Sequence, residues 1–351
     1  MVTGGYSKDS FKKVFEYVEE TVKEGKLPTG VLGIARKDSV IGAEAYGTWP
    51  DGKQVDINDI YMIFSVTKPI VAIAIMQLWE RGRLHLNEPV SKYIPEFACN
   101  GKEGITIWHL LTHTSGMQQK AIERMLIEKP CPDLDIYNEF INACIDYPCG
   151  TEKRYNNLTF SVLGEIITRV SGMDYDVYME ENIFLPLGMK DTSFYKPDRD
   201  TKRIIPIINP FQINITELYE KKLPAGGLFS TLQDLLILGM TFLNGGFFNN
   251  YRLICTTTLK TMITPQTTGV RSYNTEDFNG METGLAWLLP VSSHSIIYRE
   301  IYGHHGAANS MLWIYPKAGL ALVFLSNYTG PAIKGMQWDY ILNVFSSCLN
   351  I

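Results

Sequence analysis

Hydrophobic positions near the start of the chain follow first a helical and then a strand-like spacing. Apolar residues recur every three or four positions from 11 to 22 and Gly25 follows them, which predicts a helix that ends there. Two short apolar runs, 30–35 and 40–46, flank a polar turn and predict a hairpin. Further strand-like runs and a closing amphipathic helix are predicted in the C-terminal part, at 296–302, 310–315, 320–327 and 333–349.

The middle of the chain has helical spacing instead, as in the apolar stripe at 158–170 that stops at Gly172. Strands at both ends with helices between them predict an α+β fold. In it, one antiparallel sheet is built from both chain ends, is flanked by helices and receives a mostly helical insertion. We expect residues 1–64 and 222–351 to form the sheet domain and 65–221 the helical domain, with a site between them. The polar, proline-bearing stretches 196–220 and 264–282 are expected to be long loops.

Composition narrows the class of protein. With 351 residues, of which 45% are hydrophobic and 20% charged, the chain can bury a large core, which excludes disordered, collagen-like and disulfide-scaffold classes. The net charge of −5 is spread without blocks, so neither nucleic acid nor a membrane surface is an expected partner. The six cysteines have no metal-binding spacing, and the start of the chain lacks the pattern of a secretory signal. We therefore expect a cytoplasmic protein.

The first candidate for chemistry is Ser65-Val66-Thr67-Lys68, between the extended run 60–64 and an apolar helix. If the helix begins near Ser65, the three-residue spacing places the hydroxyl and the amine on one face, one turn apart. Burial of Lys68 lowers its pKa, and a neutral amine can take the proton of Ser65 and make it a nucleophile. The alternative is a helix cap beside a solvated lysine.

Two further segments carry candidate residues. Tyr155 precedes the helix that begins near Leu158 and can relay a proton, while the Asn157 amide can contact a substrate or Lys68. The alternative is that Asn157 caps the helix and Tyr155 is an ordinary aromatic.

The other segment is Gly303-His304-His305-Gly306-Ala307, between two predicted strands. Gly306 would let a substrate approach an edge strand, and the Ala307 N–H is a candidate oxyanion donor beside that of Ser65. The alternative is a glycine-rich turn with two solvated histidines.

No metal or cofactor site is expected. His109 and His113 have the i, i+4 spacing of a metal pair, but they lack the glutamate and the third ligand of a zinc-protease helix. A Gly-x-Ser-x-Gly elbow, a phosphate loop and a dinucleotide fingerprint are also absent from the sequence.

Taken together and in this order, the three motifs resemble the serine β-lactamase and penicillin-recognising superfamily. The pattern is similar to the branch of class C β-lactamases, D-aminopeptidases and family VIII carboxylesterases, which has Ser-x-x-Lys, Tyr-x-Asn and a [Lys/His/Trp]-x-Gly strand. The similarity extends from about residue 30 to 328. It includes the segments 64–70, 110–117, 224–231 and 284–287.

The resemblance implies a β-lactamase/transpeptidase-like fold and a role for each site residue. Ser65 would be the nucleophile, Lys68 its base and Tyr155 the proton relay. Asn157 would contact substrate and lysine, and His304, Gly306 and Ala307 would lie on the strand beside the oxyanion hole. His304 stands where a lysine normally holds the β-lactam carboxylate, and a histidine is only partly charged near neutral pH.

The prediction is thus a cofactor-free serine hydrolase that forms an acyl-enzyme on Ser65, most simply a carboxylesterase for small esters. The amide-cleaving alternatives are a β-lactamase, a D-aminopeptidase and a penicillin-binding DD-peptidase. An acyltransferase and a non-catalytic scaffold on the same fold also remain open. In each enzymatic case the expected partner is a small-molecule ester or amide substrate.

Overall fold

The structure is a computed structural model that describes residues 6–119, 135–195, 201–208, 219–272, 281–290, 300–329 and 337–349. Several predicted segments fall partly outside the described residues: the strand 296–302, the helix 333–349 and the loops 196–220 and 264–282.

The elements are numbered in chain order. The described α-helices are α1 (Lys12–Lys23), α2 (Thr67–Glu80), α3 (Ile107–Leu111), α4 (Ile136–Asn142), α5 (Leu158–Ser171), α6 (Tyr175–Met179), α7 (Leu185–Leu187), α8 (Leu232–Leu243), α9 (Thr256–Met262) and α10 (Gln337–Ser347). The described strands are β1 (Thr29–Arg36), β2 (Val40–Gly47), β3 (Tyr61–Met62), β4 (Glu152–Lys153), β5 (Phe229–Ser230), β6 (Phe247–Phe248), β7 (Tyr251–Arg252), β8 (Arg271–Ser272), β9 (Glu282–Thr283), β10 (Leu288–Leu289), β11 (Tyr302–His305), β12 (Met311–Tyr315) and β13 (Leu320–Leu325).

One antiparallel sheet of seven described strands joins the two ends of the chain. Its order is β2-β1-β13-β12-β11-β10-β9, so the N-terminal hairpin pairs directly with the last strand. In that central pair Val31 lies opposite Leu325 and Arg36 opposite Leu320. The predicted sheet built from both chain ends is confirmed.

Both faces of the sheet are covered by helices. Along β13, Leu322 and Phe324 belong to one buried cluster with residues of α1 and α10, whereas Ala321 and Val323 belong to a second cluster with residues of α8. Alternate residues of a strand point to opposite faces, so these two clusters lie on the two faces of the sheet. This is why β13 is apolar at nearly every position instead of alternating.

The helical part of the chain surrounds α2. Residues 67–78 of this helix are buried on all sides, as expected for a helix that is apolar all round. Helix α5 packs against α2 and ends at Gly172, which has a φ of +77° as a left-handed C-cap requires. The prediction of a mostly helical insertion agrees with these elements, while its division at residues 64 and 222 stays a prediction. No helix in the described ranges is long and apolar enough to cross a bilayer.

The placement of the histidine motif needs a correction. The apolar pattern predicts Gly303 to His305 between two strands, whereas the resemblance places this motif on a strand. Residues 302–305 are themselves β11, so the expectation from the apolar pattern is wrong and Gly303 to His305 lie on a strand as the resemblance implies. That strand pairs with β12 through four residue pairs and with β10 at Gly303, so it lies inside the sheet. Its side chains are buried.

Candidate active site

Ser65 and Lys68 lie together where β3 leads into α2. A 3₁₀ turn, Phe64–Val66, follows β3, and the α-helix begins at Thr67. Lys68 Nζ is 3.1 Å from Ser65 Oγ. Lys68 is fully buried, whereas Ser65 is half-buried. The predicted spacing therefore produces the predicted neighbours, with the hydroxyl partly open to solvent and the amine enclosed.

The backbone just before Ser65 is strained and held from two sides. Phe64 has a φ of +46°, which L-residues rarely adopt. The preceding residue, Ile63, donates its N–H to Leu228 O at 2.9 Å, and its carbonyl accepts from Ser310 Oγ at 2.8 Å. Strand pairing and the turn after β11 therefore fix the direction in which Ser65 projects.

The surroundings of Lys68 favour an uncharged amine. Burial holds the pKa of Lys68 well below its usual range, because a charged ammonium loses its hydration there. Nζ donates to Asn157 Oδ1 and to the Ala225 carbonyl, both at 2.7 Å. A neutral amine has two N–H bonds and one lone pair. With both N–H bonds used in this way, the lone pair is left for the hydroxyl of Ser65.

Asn156 and Gln119 hold the Tyr-x-Asn segment in place. Asn157 occupies the N-cap position of α5, but the side-chain hydrogen bond to the first turn comes from Asn156. Asn156 Oδ1 accepts from Thr159 N at 3.2 Å, while its Nδ2 donates to the Met117 carbonyl at 2.6 Å. The Gln119 amide binds the backbone on both sides, since its Nε2 donates to the carbonyl of residue 155 at 3.2 Å and its Oε1 accepts from the N–H of residue 157 at 2.8 Å. The side chain of Asn157 is thereby directed to Lys68 instead of to the helix cap.

Tyr155 lies beside this amine. Its ring centroid is 4.6 Å from Lys68 Nζ, and the side chain is half-buried. The structure therefore brings Ser65, Lys68, Tyr155 and Asn157 into one cluster, as the sequence predicts.

His304 is buried and neutral, not a partly charged surface group. Burial holds the pKa of His304 well below its usual range. Its Nδ1 lies 2.7 Å from the His305 carbonyl, which only accepts hydrogen bonds, so Nδ1 carries the proton and Nε2 carries the lone pair. The ring lies 6.4 Å from that of Tyr155. His304 is therefore one neutral tautomer, with its lone pair on Nε2.

Position 306 leaves no room for a side chain, because its backbone packs closely against two other residues of the protein. A Cβ there would lie 2.4 Å from both the Ile63 carbonyl oxygen and Ser310 Oγ. Close packing of the turn after β11 against the segment before Ser65 is thus one reason for glycine here, while the expected approach of a substrate stays a prediction. Ala307 follows in that turn and is exposed. This packing brings the two segments with the predicted oxyanion donors, Ser65 and Ala307, into contact.

The sequence does not predict that His113 lies in the site; its spacing from His109 indicates only a metal pair, which lacks further ligands. His113 Nδ1 accepts from the N–H of Asn156 at 3.2 Å, and its ring centroid is 4.5 Å from that of Tyr155. His109 Nδ1 instead accepts from Thr106 N at 3.1 Å. Within the described residues, no group of three or more His, Cys, Asp or Glu is arranged to hold a metal ion. One feature of the sequence could have indicated its position near the site: His113 falls within the segment 110–117, which is part of the resemblance to the family.

A half-buried serine beside a buried lysine and a tyrosine, on this fold, is the arrangement of the serine hydrolase family with a β-lactamase fold. The family model described as Beta-lactamase matches residues 14–344. The chain therefore belongs to the beta-lactamase family, which confirms the resemblance inferred from the motifs.

Similar proteins agree with this assignment. Beta-lactamase-like protein 2 of Dictyostelium discoideum is 27% identical over 280 residues, which are 73% of this chain and 49% of that protein. The chain spans about half the length of the curated relatives it matches. A penicillin-binding protein homolog from Caulobacter crescentus superposes with a TM-score of 0.80 at 20% identity, covering 97% of this chain and 98% of the other. A family VIII carboxylesterase superposes with a TM-score of 0.78 at 18% identity, with the same coverage. The predicted fold class is confirmed.

Proposed function

We propose that this protein is a serine hydrolase that forms an acyl-enzyme on Ser65 and acts as a carboxylesterase on small esters. The observation that carries the proposal is the environment of Lys68. Its amine is fully buried, lies 2.7 Å from both Asn157 Oδ1 and the Ala225 carbonyl oxygen, and lies 3.1 Å from Ser65 Oγ. This is the geometry of a base beside a nucleophile.

The proposed reaction has two halves. Ser65 Oγ attacks the ester carbonyl carbon while Lys68 Nζ takes its proton, and the N–H groups of Ser65 and Ala307 stabilise the oxyanion. The bond to the leaving alcohol then breaks, and the alcohol oxygen receives the proton through Tyr155. Water attacks the acyl carbonyl in the second half, the carboxylic acid leaves, and Ser65 Oγ regains its proton.

His304 favours uncharged esters over β-lactams as substrates. A β-lactam carboxylate needs a cation or a hydrogen-bond donor, and a carboxylate is itself only an acceptor. His304 is held neutral, and its one N–H is directed to the His305 carbonyl, so it supplies neither a cation nor a free donor for a carboxylate. Comparing the turnover of p-nitrophenyl butyrate with that of a chromogenic cephalosporin and of a D-alanyl anilide tests this preference. Faster turnover of either amide would replace the esterase with the corresponding amide hydrolase.

The nucleophile is tested by Ser65→Ala, with Ser91→Ala as a matched control outside the site. We expect wild type and control to gain one adduct with a fluorophosphonate, by intact-mass spectrometry, and to hydrolyse p-nitrophenyl butyrate. Ser65→Ala should show no adduct and lose on the order of a thousandfold to a millionfold in kcat. An adduct, or wild-type turnover, in Ser65→Ala would refute the assignment.

A further inference from the structure

The imidazole of His113 packs against the proposed proton relay. Its ring centroid is 4.5 Å from that of Tyr155 and 5.5 Å from that of Phe160. The same two rings lie 4.6 Å and 5.4 Å from Lys68 Nζ. His113 therefore belongs to the aromatic cluster around the amine, although the proposed reaction assigns it no step.

The hydrogen bonds of His113 determine its tautomer. Nδ1 accepts the N–H of Asn156, and an amide N–H only donates, so Nδ1 carries the lone pair and Nε2 carries the proton. His113 is 3% exposed, and burial holds its pKa well below the usual range. The ring is thus one neutral tautomer.

His113 also binds the backbone on both sides of Tyr155. Its carbonyl accepts from the N–H of Arg154 at 3.0 Å, while its Nδ1 accepts from that of Asn156 at 3.2 Å. Its φ of +60° belongs to the left-handed region, which is sparsely populated by residues other than glycine. Such a conformation persists when its surroundings over-determine it. His113 is therefore held at three places: its carbonyl and its Nδ1 by hydrogen bonds, and its ring by packing against Tyr155.

We propose that His113 is a positioning residue whose ring holds the phenol of Tyr155 in the orientation needed for proton transfer to the leaving group. The inference rests on the proposed function. A displacement of about 1 Å in a reacting group costs on the order of a hundredfold in rate, so loss of a packing ring is measurable even when the fold survives.

Two substitutions distinguish the contribution of the His113 ring from that of its hydrogen bond to Asn156 N–H. His113→Asn keeps an acceptor near the position of Nδ1 and suits the left-handed backbone, but it removes the ring. His113→Phe keeps a ring and leaves the buried N–H of Asn156 without its acceptor. We expect kcat per active site to fall about tenfold to a hundredfold in His113→Asn with KM within about threefold. His113→Phe should unfold at a lower temperature yet keep a higher kcat per active site than His113→Asn.

Active sites are counted by stoichiometric fluorophosphonate labelling of Ser65, so misfolded protein does not enter kcat. His109→Asn is the matched control, because His109 Nδ1 also accepts a backbone N–H and its ring packs on Trp108 instead of Tyr155. It should keep the wild-type kcat. Wild-type kcat in His113→Asn, or a lower kcat in His113→Phe than in His113→Asn, would overturn the inference. A wild-type protein that neither labels nor hydrolyses esters would instead refute the proposed function itself.

Discussion

Replacing Gly306 with alanine tests whether the turn after β11 sets the geometry of the proposed oxyanion hole. The new Cβ would lie 2.4 Å from the Ile63 carbonyl oxygen, 2.4 Å from Ser310 Oγ and 2.9 Å from Phe64 Cβ. Real Cβ contacts essentially never fall below 3.0 Å, and the nearest oxygen belongs to the backbone. The turn and the segment before Ser65 must therefore separate.

The size of the effect follows from these distances. Ordinary van der Waals contact begins at 3.4 Å, so the gap must open by about 1 Å. The two separating segments carry the N–H groups of Ser65 and Ala307. A misplacement of about 1 Å, or the loss of one oxyanion donor, each costs on the order of a hundredfold. We therefore expect kcat of Gly306→Ala to fall on the order of a hundredfold.

The assay is hydrolysis of p-nitrophenyl butyrate, normalised to active sites and accompanied by thermal unfolding. Gly104→Ala is the matched control, because a Cβ there meets only Cys149 Sγ at 3.6 Å, an ordinary contact. It should keep wild-type kcat. Unchanged kcat in Gly306→Ala would refute the reasoning that this contact positions the oxyanion donors.

Two further predictions concern the asparagine pair. Asn157→Asp places a carboxylate beside the amine of Lys68 and raises its pKa, so more of the amine is protonated at neutral pH. When kcat/KM is measured against pH, its fall on the acid side reports protonation of the neutral amine, so this fall should move to higher pH in the variant. If it does not move, the role of Lys68 as base is contradicted. Asn156→Ala leaves the N–H of Thr159 and a buried carbonyl without partners, and we expect urea unfolding to show a loss of about 2–4 kcal/mol. The exposed Asn138→Ala should lose less than about 1 kcal/mol, and an equal loss in both would contradict this account.

The architecture was predictable because its signals are local. Helix α1, the β1–β2 hairpin and the stop of α5 at Gly172 follow from apolar spacing, a polar turn and a glycine. Strand β11 was misplaced by a few residues, because Gly303 and the two histidines have the composition of a turn. Their extended conformation comes from pairing with β12, at His304 with Leu312 for instance, which apolar periodicity does not encode.

The candidate site was predictable only where a motif has a fixed spacing. Ser65 and Lys68 are three residues apart, so one helical turn is enough to bring them together. Gln119 and His113 act on residues about 40 positions further along, and their roles depend on how two loops meet. That His304 is neutral could likewise not be predicted from the sequence, because its pKa depends on burial in the folded protein.

The pairing of β1 with β13 has a consequence for biosynthesis. Thr29 Oγ1 donates to Asn327 Oδ1 across 298 positions of sequence, within the same central part of the sheet. A contact this distant in sequence forms late, since the entropy of closing so large a loop must be overcome before the contact stabilises anything. While the ribosome is still making β13, the N-terminal hairpin has an unpaired edge, the feature that templates aggregation. We therefore expect the edge of this hairpin in a nascent chain to stay exposed for longer than in a protein whose sheet forms from neighbouring segments.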